Sequence, residues 1–304
     1  MEKRGLLFVF FTAIISGVSI FVNKFGVKGI NPYIFTGMKN IFVAIFLFSI
    51  IILLKEFKSL RQLPKKQWLK LALIGLIGGS IPFLLFFRGL QLTTAVKGAF
   101  IHKTMFIFVA FLAVIFLKEK LNKKFIIGAG LLLLGNTLLL KFVWSSLNIG
   151  DLLILIATVM WATEITLSKN TLKNLTSNQV AFGRMFFGSL FIILFLVFTG
   201  QINAIKAINT AQFNWILITS CFLLLYVFTF YTGLKHIKAS IATAVLLFGQ
   251  IITFSLSYIF LDAPLTLMQA TGMLLMVGGI ITIIGFSQFI DIFSYPWRLK
   301  NGRS

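Results

Sequence analysis

Acidic residues are scarce in this chain: seven Asp and Glu stand against 28 Lys and Arg in 304 residues. Charged residues of both signs make up only 12% of it, roughly half the share usual in soluble domains. The single cysteine, Cys221, excludes an internal disulfide framework. Two histidines, His102 and His236, cannot by themselves build a metal cage and have no acidic cluster to help them. No cofactor or metal site is therefore expected. Paired carboxylates, a Ser/His/Asp set and a phosphate-binding glycine loop are all missing from places where catalysis could use them, which argues against an enzyme.

What the chain does have is apolar length. It is 59% hydrophobic, with a mean hydropathy of +1.00. Ten apolar stretches can be read, near residues 5–23, 33–54, 69–87, 98–117, 125–140, 151–168, 179–198, 214–234, 239–261 and 266–286. A bilayer core needs roughly 20 residues of helix at 1.5 Å rise each, and strands of a barrel would be half that length and would alternate in polarity. The first stretch lacks a small-x-small cleavage site and matches a later internal helix, so it is read as a helix rather than a signal peptide. The expectation is an all-α membrane protein with ten transmembrane helices.

Charge fixes an orientation. Nineteen of the 28 basic residues fall at one face, crowding the 2–3 and 4–5 connections, the ends of the 6–7 and 8–9 connections, and both termini. The positive-inside rule makes this face, with both termini, cytoplasmic. The net charge of +21 is then mostly topological, with attraction to anionic lipid headgroups as a by-product; nucleic acid is not needed to explain it. Trp68, Trp144, Trp215 and Trp297 fall near helix ends as an interfacial belt requires, whereas Trp161 lies well inside the sixth stretch.

The two halves of the chain repeat. Residues 89–140 and 233–284 align without a gap at an offset of 144, pairing Gly89 with Gly233, Gly128 with Gly272 and Gly135 with Gly279. Upstream the offset is 145, pairing Lys24 with Lys169 and Lys39 with Arg184. The expected units are residues 1–145 and 146–304, each with five helices. An odd helix number makes the second unit enter from the other side, so the repeats are inverted about an axis in the membrane plane. Such chains usually expose a central site alternately to two sides. Lys24 and Lys39 then belong to the outer half of the membrane, Lys169 and Arg184 to the inner half, and the four suggest a symmetric pair of gates. Snorkelling of these side chains from helix ends is the competing explanation.

Several short motifs add to this. Trp161-Ala162-Thr163 precedes Lys169, and Ser16-Gly17-Val18 precedes Lys24. Arg184-Met185 and Lys39-Asn40 occupy matching steps in the second helix of each half, and Leu117-Lys118-Glu119-Lys120-Leu121 closes the fourth helix. In these features the chain resembles the EamA-type transporters of the drug/metabolite transporter superfamily over residues 5–286. The family's helix-interior proline is replaced by Phe106 and Gln250, and Leu261-Asp262-Ala263-Pro264-Leu265 has lost the glutamate. The resemblance implies a fold of two five-helix repeats whose fourth and ninth helices line a central cavity. It also implies export of metabolites, amino acids among them, or of drugs.

A charge at the bilayer centre costs roughly 2.5–3.5 kcal/mol on insertion scales, so each needs a reason. Lys39, Arg88, Lys97, Lys103 and Arg184 fall within the helices, against one acid, Glu164. Lys103, beside His102 and close to the midplane, is the first choice for binding an anionic group; the alternative is a Lys103–Glu164 ion pair that merely joins two helices. Glu164 shares a helical face with Trp161 and Ser168. It is also a candidate proton carrier. Ser16 and Ser19 form a polar stripe on the first helix, which interhelical hydrogen bonding would equally explain. Tyr226 on the eighth helix and Gln250 on the ninth complete the expected substrate-binding set.

The leading expectation is a secondary, ATP-independent transporter of a small organic solute. It would export amino acids or related anionic or zwitterionic solutes, across a bacterial cytoplasmic membrane and as a monomer or homodimer. The alternatives are efflux of neutral or hydrophobic compounds, with Lys103 neutralised by Glu164, and a non-transporting membrane scaffold.

Overall fold

The structure is a computed structural model that describes residues 2–26, 29–142, 146–262 and 264–290. Trp144, Trp297 and the side chain of Lys24, each singled out above, lie outside the described residues, as does the rest of the chain from residue 291. Among the described residues there are only helices and connections. Nine of these helices are long and apolar enough to cross a membrane. We number the main helices α1 (Glu2–Gly26), α2 (Pro32–Leu53), α3 (Lys65–Leu90), α4 (Ala95–Leu117), α5 (Lys123–Leu139), α6 (Ile149–Thr171), α7 (Ser177–Phe198), α8 (Thr210–His236), α9 (Ala239–Leu261) and α10 (Leu267–Ile284). The 17-residue α5 is the one that falls short of spanning length.

The helix starts are legible locally. Asn31, Thr94, Asn122, Asn148, Thr176, Asn209 and Thr266 each accept a backbone N–H of the first turn. Asp151, Gln179, Gln212 and Gln269 return the bond as capping boxes.

Glycine sets how closely the helices approach. Helices α5 and α10 run antiparallel with Gly128 against Gly279 and Gly135 against Gly272. A Cβ at Gly128 would stand 2.6 Å from the Gly279 carbonyl oxygen, and one at Gly135 2.6 Å from that of Gly272. The offset of 144 makes Gly272 the counterpart of Gly128 and Gly279 that of Gly135, so each helix presents the same pair of glycines to the other. The relation recurs where α1 meets α8 at Gly5 and Gly233, and where α6 meets α3 at Gly150 and Gly89. Polar contacts follow it too: Thr176 donates to Glu56 at 2.7 Å, and Asn31 to Gln201, at the matching positions, at 3.0 Å.

Three helices depart from regular geometry. Residues Gly75–Ser80 of α3 form a π-turn, while α4 and α9 are interrupted at Thr104 and Leu247, close to Phe106 and Gln250. The break thus persists without the proline. Helices α1, α8 and α9 pack together on one side, and α3, α4 and α6 on the other. A cavity opens between these two groups.

Candidate functional site

The cavity has a volume of about 290 Å³, near the small end of the range for small-molecule sites. Ser16, Ser19, Lys39, His102, Trp161, Glu164, Arg184 and Tyr226 all reach its wall, together with Tyr231 and the aromatic rings of Phe83, Phe86, Phe87 and Phe230. Most of the residues singled out in the sequence are therefore brought to one place.

Its polar end is organised by the π-turn. A π-turn shifts the backbone register and releases carbonyls from their usual partners. The Gly78 carbonyl accepts both the Trp161 indole N–H and an Arg184 Nη2–H, each at 3.0 Å. The next carbonyl, Gly79, accepts the Asn40 side-chain amide at 2.9 Å. Glycine is required at position 78 because a Cβ there would collide with the side chain of Glu164.

Glu164 is held from three sides. Its Oε1 accepts from the Ser168 hydroxyl and from the Tyr231 hydroxyl, both at 2.6 Å. Its Oε2 lies 3.7 Å from Arg184 Nε, an ion pair too long for a hydrogen bond. That Nε has no hydrogen-bond partner and is buried. Lys39 projects from α2 with its ammonium 4.7 Å from the centre of the Phe35 ring, a cation–π contact. It is 9% exposed and has no carboxylate partner among the described residues.

The adjoining wall is aromatic. Trp161 lies at ring-centre distances of 4.9 Å from His102, 5.1 Å from Phe83 and 5.5 Å from Phe86. His102 Nδ1 is buried without a hydrogen-bond partner. Trp161 is thus away from the interfacial belt because it belongs to this wall.

Several expectations need correction. The Lys103–Glu164 pair does not form: Arg184, Ser168 and Tyr231 occupy the carboxylate instead. Lys103 is not among the cavity residues; successive helix positions are about 100° apart, so turning His102 toward the cavity turns its neighbour aside. Gln250 is also absent from the wall, because its amide donates to Asn136 of α5 at 3.1 Å, within a buried contact between helices. Arg184, read as a gate, lies in the cavity itself, as does Lys39.

Lys169 lies elsewhere. It donates to the carbonyls of Leu234 at 2.7 Å and Lys235 at 3.2 Å, joining α6 to the end of α8 at the lysine-rich face. The π-turn and the phenylalanines of α3 were not anticipated. The run Gly75-Leu76-Ile77-Gly78-Gly79-Ser80 was their visible signal.

Comparison with known proteins agrees with this architecture. The description "EamA-like transporter family" matches the chain twice, over residues 3–141 and 148–285. The chain is 25% identical over 309 residues to the uncharacterized transporter YoaV of Bacillus subtilis, covering 97% of this chain and 99% of that one. It is 26% identical over 245 residues to the uncharacterized transporter YyaM of the same organism, covering 78% and 79%. An uncharacterized transporter of Archaeoglobus fulgidus is 26% identical over 294 residues, covering 93% and 96%. A solved crystal structure, 14% identical, shares the fold with a TM-score of 0.77 over 96% of this chain and 100% of the other.

Proposed function

The chain belongs to the EamA-like transporter family, a multi-pass membrane transporter and not an enzyme, and from that premise we propose that it carries a small organic solute bearing a carboxylate or phosphate. Amino acids and related zwitterions are the solutes of first choice, exported across a bacterial cytoplasmic membrane without ATP. The carrying observation is Lys39: a buried ammonium facing the cavity with no carboxylate partner among the described residues. With Arg184 and Glu164 offsetting each other, it leaves the cavity with a net positive charge. An ammonium held in a low-dielectric wall is a strong recruiter of an anionic group, and the aromatic wall offers the solute's body an apolar face.

In this reading the chain is ten spans in two inverted repeats, residues 1–145 and 146–304, with both termini cytoplasmic. The reciprocal glycine contacts support it, as does the lysine-rich face. Lys169 acts as the inner gate, holding α6 to α8 when the cavity is open to the outside, and Lys24 is its outer counterpart. Lys39, Arg184, Glu164, His102, Trp161, Tyr226, Ser16 and Ser19 form the binding set; Tyr231 joins it. Glu164 carries the coupling proton.

The test is a thermal-shift and reconstituted-uptake screen of amino acids, organic acids, sugar phosphates and organic cations. Stabilisation and uptake restricted to carboxylate- or phosphate-bearing solutes are expected. Stabilisation by cations or uncharged hydrophobic compounds alone would overturn the assignment in favour of drug-type efflux.

A further inference from the structure

At the lysine-rich end the two helix groups flanking the cavity are closed against one another. Helix α4 ends at Leu117, and the next residues cross to the start of α9. There the Glu119 carboxylate accepts the backbone N–H of Ala239 at 2.7 Å, the N–H of Ser240 at 3.3 Å and the Ser240 hydroxyl at 2.5 Å. Lys238 returns a bond from the other side, donating to the Lys120 carbonyl at 2.9 Å. The residue in the N-cap position of this half-helix, Lys238, makes no side-chain cap of its own. Its first turn is therefore capped by a carboxylate from the opposite helix group.

The matching place at the other end is built differently. Position 263, the counterpart of Glu119 at the offset of 144, is alanine. The start of α4, the counterpart of the start of α9, is capped locally by Thr94, whose hydroxyl accepts the Lys97 N–H at 3.2 Å. Among the described residues, no carboxylate bridges the two groups at that end. The cavity lies between the two ends. Its lining on α1 (Ser16, Ser19) and α3 (Phe83, Phe86) lies toward the helix ends remote from the lysine-rich face, whereas Glu164, Arg184 and Tyr231 lie in the halves of α6, α7 and α8 nearer that face.

We propose that Glu119 is a one-sided latch of the transport cycle, holding the lysine-rich end of the solute pathway shut. It biases the protein toward the state whose cavity opens to the opposite side. Opening the lysine-rich end must separate α4 from α9 and release three donors from one carboxylate. Opening the other end breaks no such contact among the described residues, so the two half-cycles are unequal. The proposal rests on the alternating-access reading above and adds to it a preferred resting side.

The experiment uses the full chain in proteoliposomes, with Cys221→Ser to remove the native thiol and Thr171→Cys as reporter. Thr171 is fully buried and lies on the Glu164 face of α6, about 10 Å farther toward the lysine-rich end. A membrane-impermeant maleimide applied to that side should label Glu119→Ala about tenfold faster than the parent, with Glu119→Gln in between. Glu119→Ala also removes a helix cap, so Glu119→Ala/Lys238→Ser, which supplies a local cap, separates the two roles; Lys238→Ser alone is its control. Recovery of the melting temperature with labelling still fast supports the latch. Return of labelling to the parent rate in the double variant reduces Glu119 to a cap and overturns the proposal. So does labelling of Glu119→Ala within twofold of the parent. Failure of the transport reading would register separately, as parent protein whose labelling responds to none of the screened solutes.

Discussion

Glu164 and Arg184 meet in the cavity at 3.7 Å, near enough to attract and too far to share a hydrogen bond. The carboxylate is already supplied with donors by Ser168 and Tyr231, and the guanidinium rests on the Gly78 carbonyl. The pair therefore offsets charge without locking either partner to the other. The guanidinium Nε, which faces the carboxylate, is left buried and without a hydrogen bond.

Lys39→Ala should weaken binding of a carboxylate or phosphate solute by tenfold or more, about 1.4 kcal/mol, whereas Lys103→Ala should change it little. Thermal-shift titration of the two variants in parallel checks this. The reverse ranking would return the anion site to Lys103.

Glu164→Gln should abolish uptake driven by a pH gradient while sparing solute exchange at equal pH on both sides. The amide keeps the geometry but cannot give up or take a proton as a carboxylate does. Proton-driven uptake at the parent rate in this variant would remove Glu164 as the carrier.

Gly78→Ala should be strongly destabilising and inactive, since the new methyl group meets the Glu164 side chain. Gly130→Ala, where nothing lies within 4 Å, is the matched control and should be neutral or slightly stabilising, by up to about 1 kcal/mol. Melting curves in detergent distinguish the two.

Gly135→Val should force α5 and α10 apart, because its side chain would be driven into the Gly272 carbonyl and the Met276 side chain. Overpacking of this kind typically costs about 1–3 kcal/mol. The predicted signature is a lowered melting temperature, with solute affinity in the remaining folded protein close to that of the parent.

Much of this molecule was legible from residue pattern alone. Apolar length marked ten helices, of which nine have spanning size; the fifth and sixth stretches both read as short, but only α5 is, since α6 runs 23 residues. The offset that pairs Lys39 with Arg184 picks out two cavity cations, though it suggests gates rather than a shared wall. The error at Lys103 has a simple cause. Depth along a helix can be counted from sequence, but rotation about its axis depends on packing, and His102 took the inward position. Glu164 was correctly marked as unusual, yet its partner lies on α7 and was reachable only through tertiary structure. The π-turn was hidden because glycine runs are equally compatible with close packing, and in this chain Gly79 does both, meeting Gly188 of α7 while offering its carbonyl to Asn40.

The seam between α5 and α10 is self-complementary: each helix brings the glycines that the other needs. A surface of that kind recognises its own copy turned end for end, whatever chain the copy belongs to. The covalent link between Lys141 and Ser146 therefore contributes proximity rather than recognition. Two separately synthesised halves, inserted in opposite senses, would carry the instructions for finding each other.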